Sequence, residues 1–145
     1  MLDNLKEIYN MLESINQSTS DKRILMKQYL RDPVFGKTFR QVLIFITDQK
    51  HKFNIKQIKF CAFFEDKFAE EHQNVKGIFQ MLDYLGEKGK SSSSEEIAFL
   101  ERISSSNPET VEVVTRILNK FSGCGLTNEQ IVEILNEKEE EETSV

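Results

Sequence analysis

Arg116-Ile117-Leu118-Asn119-Lys120-Phe121-Ser122-Gly123-Cys124-Gly125-Leu126-Thr127 joins a basic helix end to the start of a new helix through a turn that holds two glycines. Gly123 and Gly125 can take positive φ and allow backbone to approach closely, so the chain is expected to turn there. Thr127 with Gln130 has the S/T-x-x-E/Q spacing of a capping box, which opens a helix over Ile131, Val132, Ile134 and Leu135. The first N–H groups of a helix have no intrahelical partner, and such groups bind anions. The stretch reads as helix, turn and helix, with a place where backbone can meet phosphate.

The same signals recur upstream. Asn107-Pro108 is a cap followed by a proline at the first helical position, and it launches a helix through Val111, Val114, Ile117, Leu118 and Phe121 that is expected to end at Gly123. Before it lies a helix over Ile97, Leu100 and Ile103, with Ser94 as its expected cap, preceded by a low-complexity loop from Glu87 to Ser94. Val75, Ile78, Phe79, Leu82 and Leu85 mark a further helix that should stop at Gly86, and Phe60, Phe63, Phe64 and Phe68 form a dense aromatic stretch expected to be mostly core. Asp32-Pro33 starts a central helix through Phe35, Phe39, Val42, Leu43 and Ile46. Leu2, Leu5, Ile8, Tyr9, Leu12 and Ile15 define the first helix, and Ser18-Thr19-Ser20 breaks it and caps a second one bearing Ile24, Leu25 and Tyr29. The expectation is an all-α fold of about seven helices in a single compact domain over residues 1–136. Gln41 to Ile46, rich in β-branched residues, is the main competitor for a strand.

Composition narrows the function classes. The 145 residues, 39% hydrophobic and 10% aromatic, suffice for one core. No apolar run approaches the roughly 20 residues of a membrane span, and the amino terminus begins with an amphipathic pattern, so a soluble, intracellular protein without membrane association is expected. The net charge of −5 is polarised. Ten basic residues between Lys22 and Lys59 face only Asp32 and Asp48, a local balance of +8, which leaves −13 for the rest. Residues 137–145, opening with Glu137-Lys138-Glu139-Glu140-Glu141-Glu142, are expected to form an acidic, disordered tail. Such asymmetry points to a polyanion partner or to a solvated helical surface.

Catalytic and metal chemistry is not indicated. The chain has no P-loop, G-x-G-x-x-G, H-E-x-x-H or nucleophile elbow. Cys61 and Cys124 lie far from each other and from His at ligand spacing, so free thiols and no metal or cofactor are expected. His51 and His72 read as surface histidines, and Glu70-Glu71 and Glu95-Glu96 as solvated pairs whose side chains diverge on a helix.

Three stretches, in order, resemble one family. Thr47 to Ile58 looks like a segment in which an aspartate-bearing turn precedes an F-x-I-K-K-I run. Phe79 to Leu85 resembles the helix before a T-G-N-A-A loop, and Val111 to Thr127 resembles E-V-x-R-R-I-L-x-R-D-L-x-C-G-V-S. The family is that of phage-type ATP-dependent DNA ligases, and the likeness is to their helical N-terminal DNA-binding domain, from Leu2 to Leu135. That resemblance implies a module that grips nicked double-stranded DNA through minor-groove and phosphate contacts. A separately encoded or adjoining catalytic part would carry the K-x-D-G motif, which is absent here. Carried over by position, the DNA-binding residues are Lys52, Lys56, Lys88, Lys90, Arg116, Lys120, Gly125 and Thr127. The chain departs from the family where Ser91 to Ser94 replace the glycine–asparagine loop, where Phe121 replaces an acid, and where Gly123 replaces a basic residue. These departures motivate the alternative of a helical adaptor that kept the fold and binds a protein.

Overall fold

Helix α1 (Lys6–Gln17) buries one stripe, Ile8, Met11, Leu12 and Ile15, and ends where Ser18 turns extended. The structure, a computed structural model, describes residues 4–60, 77–88 and 94–143. Six further helices follow among the described residues: α2 (Lys22–Leu30), α3 (Gly36–Thr47), α4 (Ile78–Lys88), α5 (Ser94–Ser104), α6 (Pro108–Leu118) and α7 (Asn128–Thr143), with no strand. The 41–46 stretch lies within α3 and is helical.

The wide stripe of α3 makes it the centre of the fold. Phe39, Val42, Leu43, Phe45 and Ile46 are buried, and α3 packs against α2, α6 and α7. At about 1.5–3 kcal/mol for each large apolar side chain, this stripe contributes on the order of 10 kcal/mol before chain entropy is opposed to it. Helix α1 lies on α2 and α6, and α5 bridges α4 and α6. One contiguous core joins all seven helices and takes in Phe53, Ile55 and Ile58 from the connector after α3.

The caps follow the side chains that can reach them. Asn107 Oδ1 accepts from Thr110 N at 2.8 Å with Pro108 in the first turn, as expected. Thr110 Oγ1 then accepts from Leu5 N, which joins the starts of α1 and α6. Asp32 Oδ2 accepts from Val34 N and Phe35 N, so the aspartate caps the turn that leads into α3, although regular helix begins only at Gly36.

Three expectations about element ends are corrected. The cap of α2 is Asp21, whose Oδ1 accepts from Arg23 N at 2.9 Å, while Ser18 and Ser20 bond to each other. Helix α4 does not stop at Gly86 but runs on to Lys88. Gly86 serves close approach instead, since a Cβ there would lie 2.5 Å from His51 Cδ2 and 2.7 Å from His51 Cβ. Helix α6 ends at Leu118, before Gly123, because Lys120 takes a left-handed φ of 55°. Helix α7 continues through the acidic residues to Thr143, with Glu137 bonded to Lys27 at 2.8 Å and Glu133 paired with Arg23 at 3.5 Å.

Candidate nucleic-acid interface

The connector after α3 alternates. His51, Phe53 and Ile55 point inward and are buried, as is Ile58, while Lys50, Lys52, Asn54, Lys56 and Lys59 are exposed. Period-two alternation is the signature of an extended segment with one face on a core. Here it lays a lysine ribbon along the surface, and among the described residues no carboxylate pairs with Lys50, Lys52, Lys56 or Lys59. Two backbone ties hold the ribbon in place. Asn119 Nδ2 donates to Lys56 O at 2.7 Å, and Lys59 N donates to Glu101 Oε2 at 2.7 Å.

Lys52, Lys56 and Lys120 come together around an open groove of about 430 Å³ whose apolar wall is Phe53 and Leu118. Lys120 differs from the other two. Its Nζ donates to Phe45 O at 2.6 Å and to Asp48 Oδ1 at 3.0 Å and sits 5.0 Å from the centre of the Phe53 ring. Its charge is engaged within the fold.

Arg116, Gly125 and Thr127 line a second open groove, of about 730 Å³, with Phe121 and Leu126 on its apolar side. The turn after α6 gives Lys120 to the first groove and Phe121 and Ser122 to the second. The Arg116 side chain is only 12% exposed. It donates to Glu13 Oε1 at 2.7 Å, to Glu112 Oε1 at 3.1 Å and to Ser122 O at 3.1 Å, and stacks over Tyr9. Burial works against the guanidinium charge, but the hydrogen bonds to Glu13 and Glu112 outweigh it and hold the pKa above its ordinary value. Both glycines have the positive φ that the sequence implies, +70° at Gly123 and +89° at Gly125. Each also makes room: a Cβ at 123 would lie 2.8 Å from an Arg116 nitrogen, and one at 125 would lie 3.0 Å from Lys22 Cε. Lys22 itself is spent on the end of α1, donating to the carbonyls of Ile15, Asn16 and Ser18. The capping box forms in both directions, with Gln130 N on Thr127 Oγ1 and Thr127 N on Gln130 Oε1. The Thr127 amide is thereby occupied. Lys88 closes α4, and Lys90 lies outside the described residues, as do Ser91 to Ser93, His72, Cys61 and the Phe63–Phe68 aromatics.

Three residues read as surface or core are placed otherwise. His51, expected at the surface, is 7% exposed, with Nδ1 2.7 Å from Asp48 Oδ2 and Nε2 2.8 Å from Asp83 Oδ1. The second contact lies off the hydrogen-bond direction. Rings from Phe45 and Phe53 flank the imidazole. The Asp48–His51 spacing is visible in the sequence, whereas Asp83 reaches the ring only through the placement of α4. Glu96, expected to be solvated, is buried, and Phe60, expected in the core, is 53% exposed. Cys124 is a buried free thiol, 3.1 Å from Ser122 Oγ.

Among the described residues no cluster of His, Cys, Asp and Glu could hold a metal ion, and no helix is long and apolar enough to cross a membrane. In comparison with known proteins, no family model matches the chain and no curated protein matches its sequence.

Proposed function

We propose that the chain is a non-catalytic helical module that binds duplex DNA, with preference for nicked duplex, and serves ligation, repair or replication beside a catalytic part outside this chain. One observation carries the reading. The connector is pinned at Phe53, Ile55 and Ile58 and holds Lys50, Lys52, Lys56 and Lys59 outward with no carboxylate pairing them among the described residues. An ordered row of unneutralised lysines is suited to phosphates, which release condensed counterions when they are contacted. Such contacts position a duplex without reading its sequence. The nick preference comes from the resemblance to ligase DNA-binding domains.

Within that reading the cation set shifts. Lys52 and Lys56 keep the phosphate role that the resemblance assigns them, while Arg116 and Lys120 act as supports of the turn after α6. Anisotropy of a labelled nicked hairpin, an intact duplex and a single strand, titrated at low and moderate salt, tests this function. Salt-sensitive binding that favours the nicked duplex is expected, and absence of binding to all three at low salt would overturn it.

The engagement of Arg116 and Lys120 favours a second reading, a helical adaptor for a protein partner, since two cations of the resembling stretch are already neutralised. In that case Lys52→Glu would leave partner binding intact.

A further inference from the structure

We propose that Phe121 is an aromatic wedge that enters the duplex at a break in base stacking and gives the module its preference for nicks; the inference rests on the DNA-binding reading above. Phe121 is 62% exposed, the most exposed aromatic ring among the described residues that stand out as large exposed apolar groups. It lies on the turn after α6 and lines the larger groove together with Leu126.

The backbone on each side of the ring is fixed. Lys120 holds a left-handed φ of 55°, which disfavours a side chain with a Cβ. It is kept there by its Nζ bonds to Phe45 O and Asp48 and by Asn128 Nδ2, which donates to its carbonyl at 3.0 Å. Phe121 N donates to Arg116 O at 2.9 Å, and Ser122 O accepts from the Arg116 guanidinium. A turn with this many ties that costs backbone strain, and that leaves a large ring in water, points to a use for the ring.

Charge complementarity selects the occupant. Asn119, two residues before Phe121, holds the Lys56 carbonyl at 2.7 Å, so the lysine ribbon runs directly beside the turn. An exposed apolar ring on a turn that is tied to the lysine ribbon matches stacked bases bordered by phosphates, and apolar side chains of DNA-bending proteins insert at base steps. At a nick one strand has lost its covalent continuity, so unstacking there costs less than in intact duplex. The ligase stretch resembled by Val111 to Thr127 has an acid at this position, so the wedge would be a property of this chain.

The chain contains no tryptophan, so Phe121→Trp supplies a sole indole reporter. Wild type, F121W and F121A are titrated with nicked hairpin and intact duplex at one salt concentration. F121W is expected to bind within about twofold of wild type and to lose emission on the nicked duplex as its indole stacks. F121A is expected to weaken nicked-duplex binding about tenfold, in the range of one base–aromatic stack, and intact-duplex binding less. Its melting temperature should match that of wild type, because the ring is exposed. Wild-type affinity for F121A together with unquenched emission from F121W would overturn the wedge and leave DNA binding standing. A wild-type chain that binds no duplex would remove both.

Discussion

Lys120 Nζ lies 3.0 Å from Asp48 Oδ1, an ion pair across 72 residues that ties the turn after α6 to the end of α3. Asp48 also bonds His51 through its other oxygen, and His51 meets Asp83 of α4. The four side chains link three elements around the base of the lysine ribbon. Lys120→Met is therefore expected to cost about 1–3 kcal/mol of stability, because it leaves Asp48 short of a partner. Chemical denaturation measures the loss, and unchanged stability would show the link to be idle.

The Asp48 carboxylate carries a pH prediction. Burial works against its charge, but hydrogen bonds from His51 and Lys120 outweigh burial and hold its pKa below the ordinary value of 3.8. A carboxyl depressed on folding contributes stability that is fully present above its unfolded pKa and is lost as pH falls through the lower folded value. Thermal denaturation between pH 7 and pH 2 should show an acid limb that Asp48→Asn flattens, and an unchanged limb would contradict the assignment.

Gly86 offers a test of packing against propensity. Alanine is the better helix former by about 1 kcal/mol, yet its Cβ would lie 2.5 Å from His51 Cδ2. Gly86→Ala is expected to destabilise by about 1–3 kcal/mol, as overpacking does. A gain in melting temperature would mean that the imidazole can move aside.

Arg116 is held by its shape as much as by its charge. The guanidinium fork reaches Glu13, Glu112 and Ser122 O at once, and an ammonium group cannot span them. Arg116→Lys should lose about 1.5–3 kcal/mol by denaturant titration while leaving the salt dependence of DNA binding intact. A variant as stable as wild type would contradict this role for the guanidinium.

The helical fold was legible because apolar residues recur at three- and four-residue steps and because Asn107-Pro108 and Thr127 with Gln130 are caps that act within a few residues. Positive φ at Gly123 and Gly125 was legible for the same local reason. What the sequence conceals depends on distant partners. His51 looks polar in context, and only the docking of α4, with Gly86 and Asp83, buries it. Arg116 and Lys120 read as free cations until Glu13 and Asp48 arrive from other elements. Gly86 looks like a helix stop, since nothing nearby reveals the ring that needs its missing Cβ. The pairing of Glu137 with Lys27 of α2 likewise has no local signal.

The salt dependence of duplex binding, compared between wild type and the Lys52→Ala/Lys56→Ala double variant, tests the central claim most directly. With roughly 0.9 per phosphate contact, the slope of log K against log salt should fall by about 1.8 in the double variant while its thermal stability is unchanged. An identical slope in wild type and variant would contradict the assignment of the lysine ribbon as the DNA-binding surface.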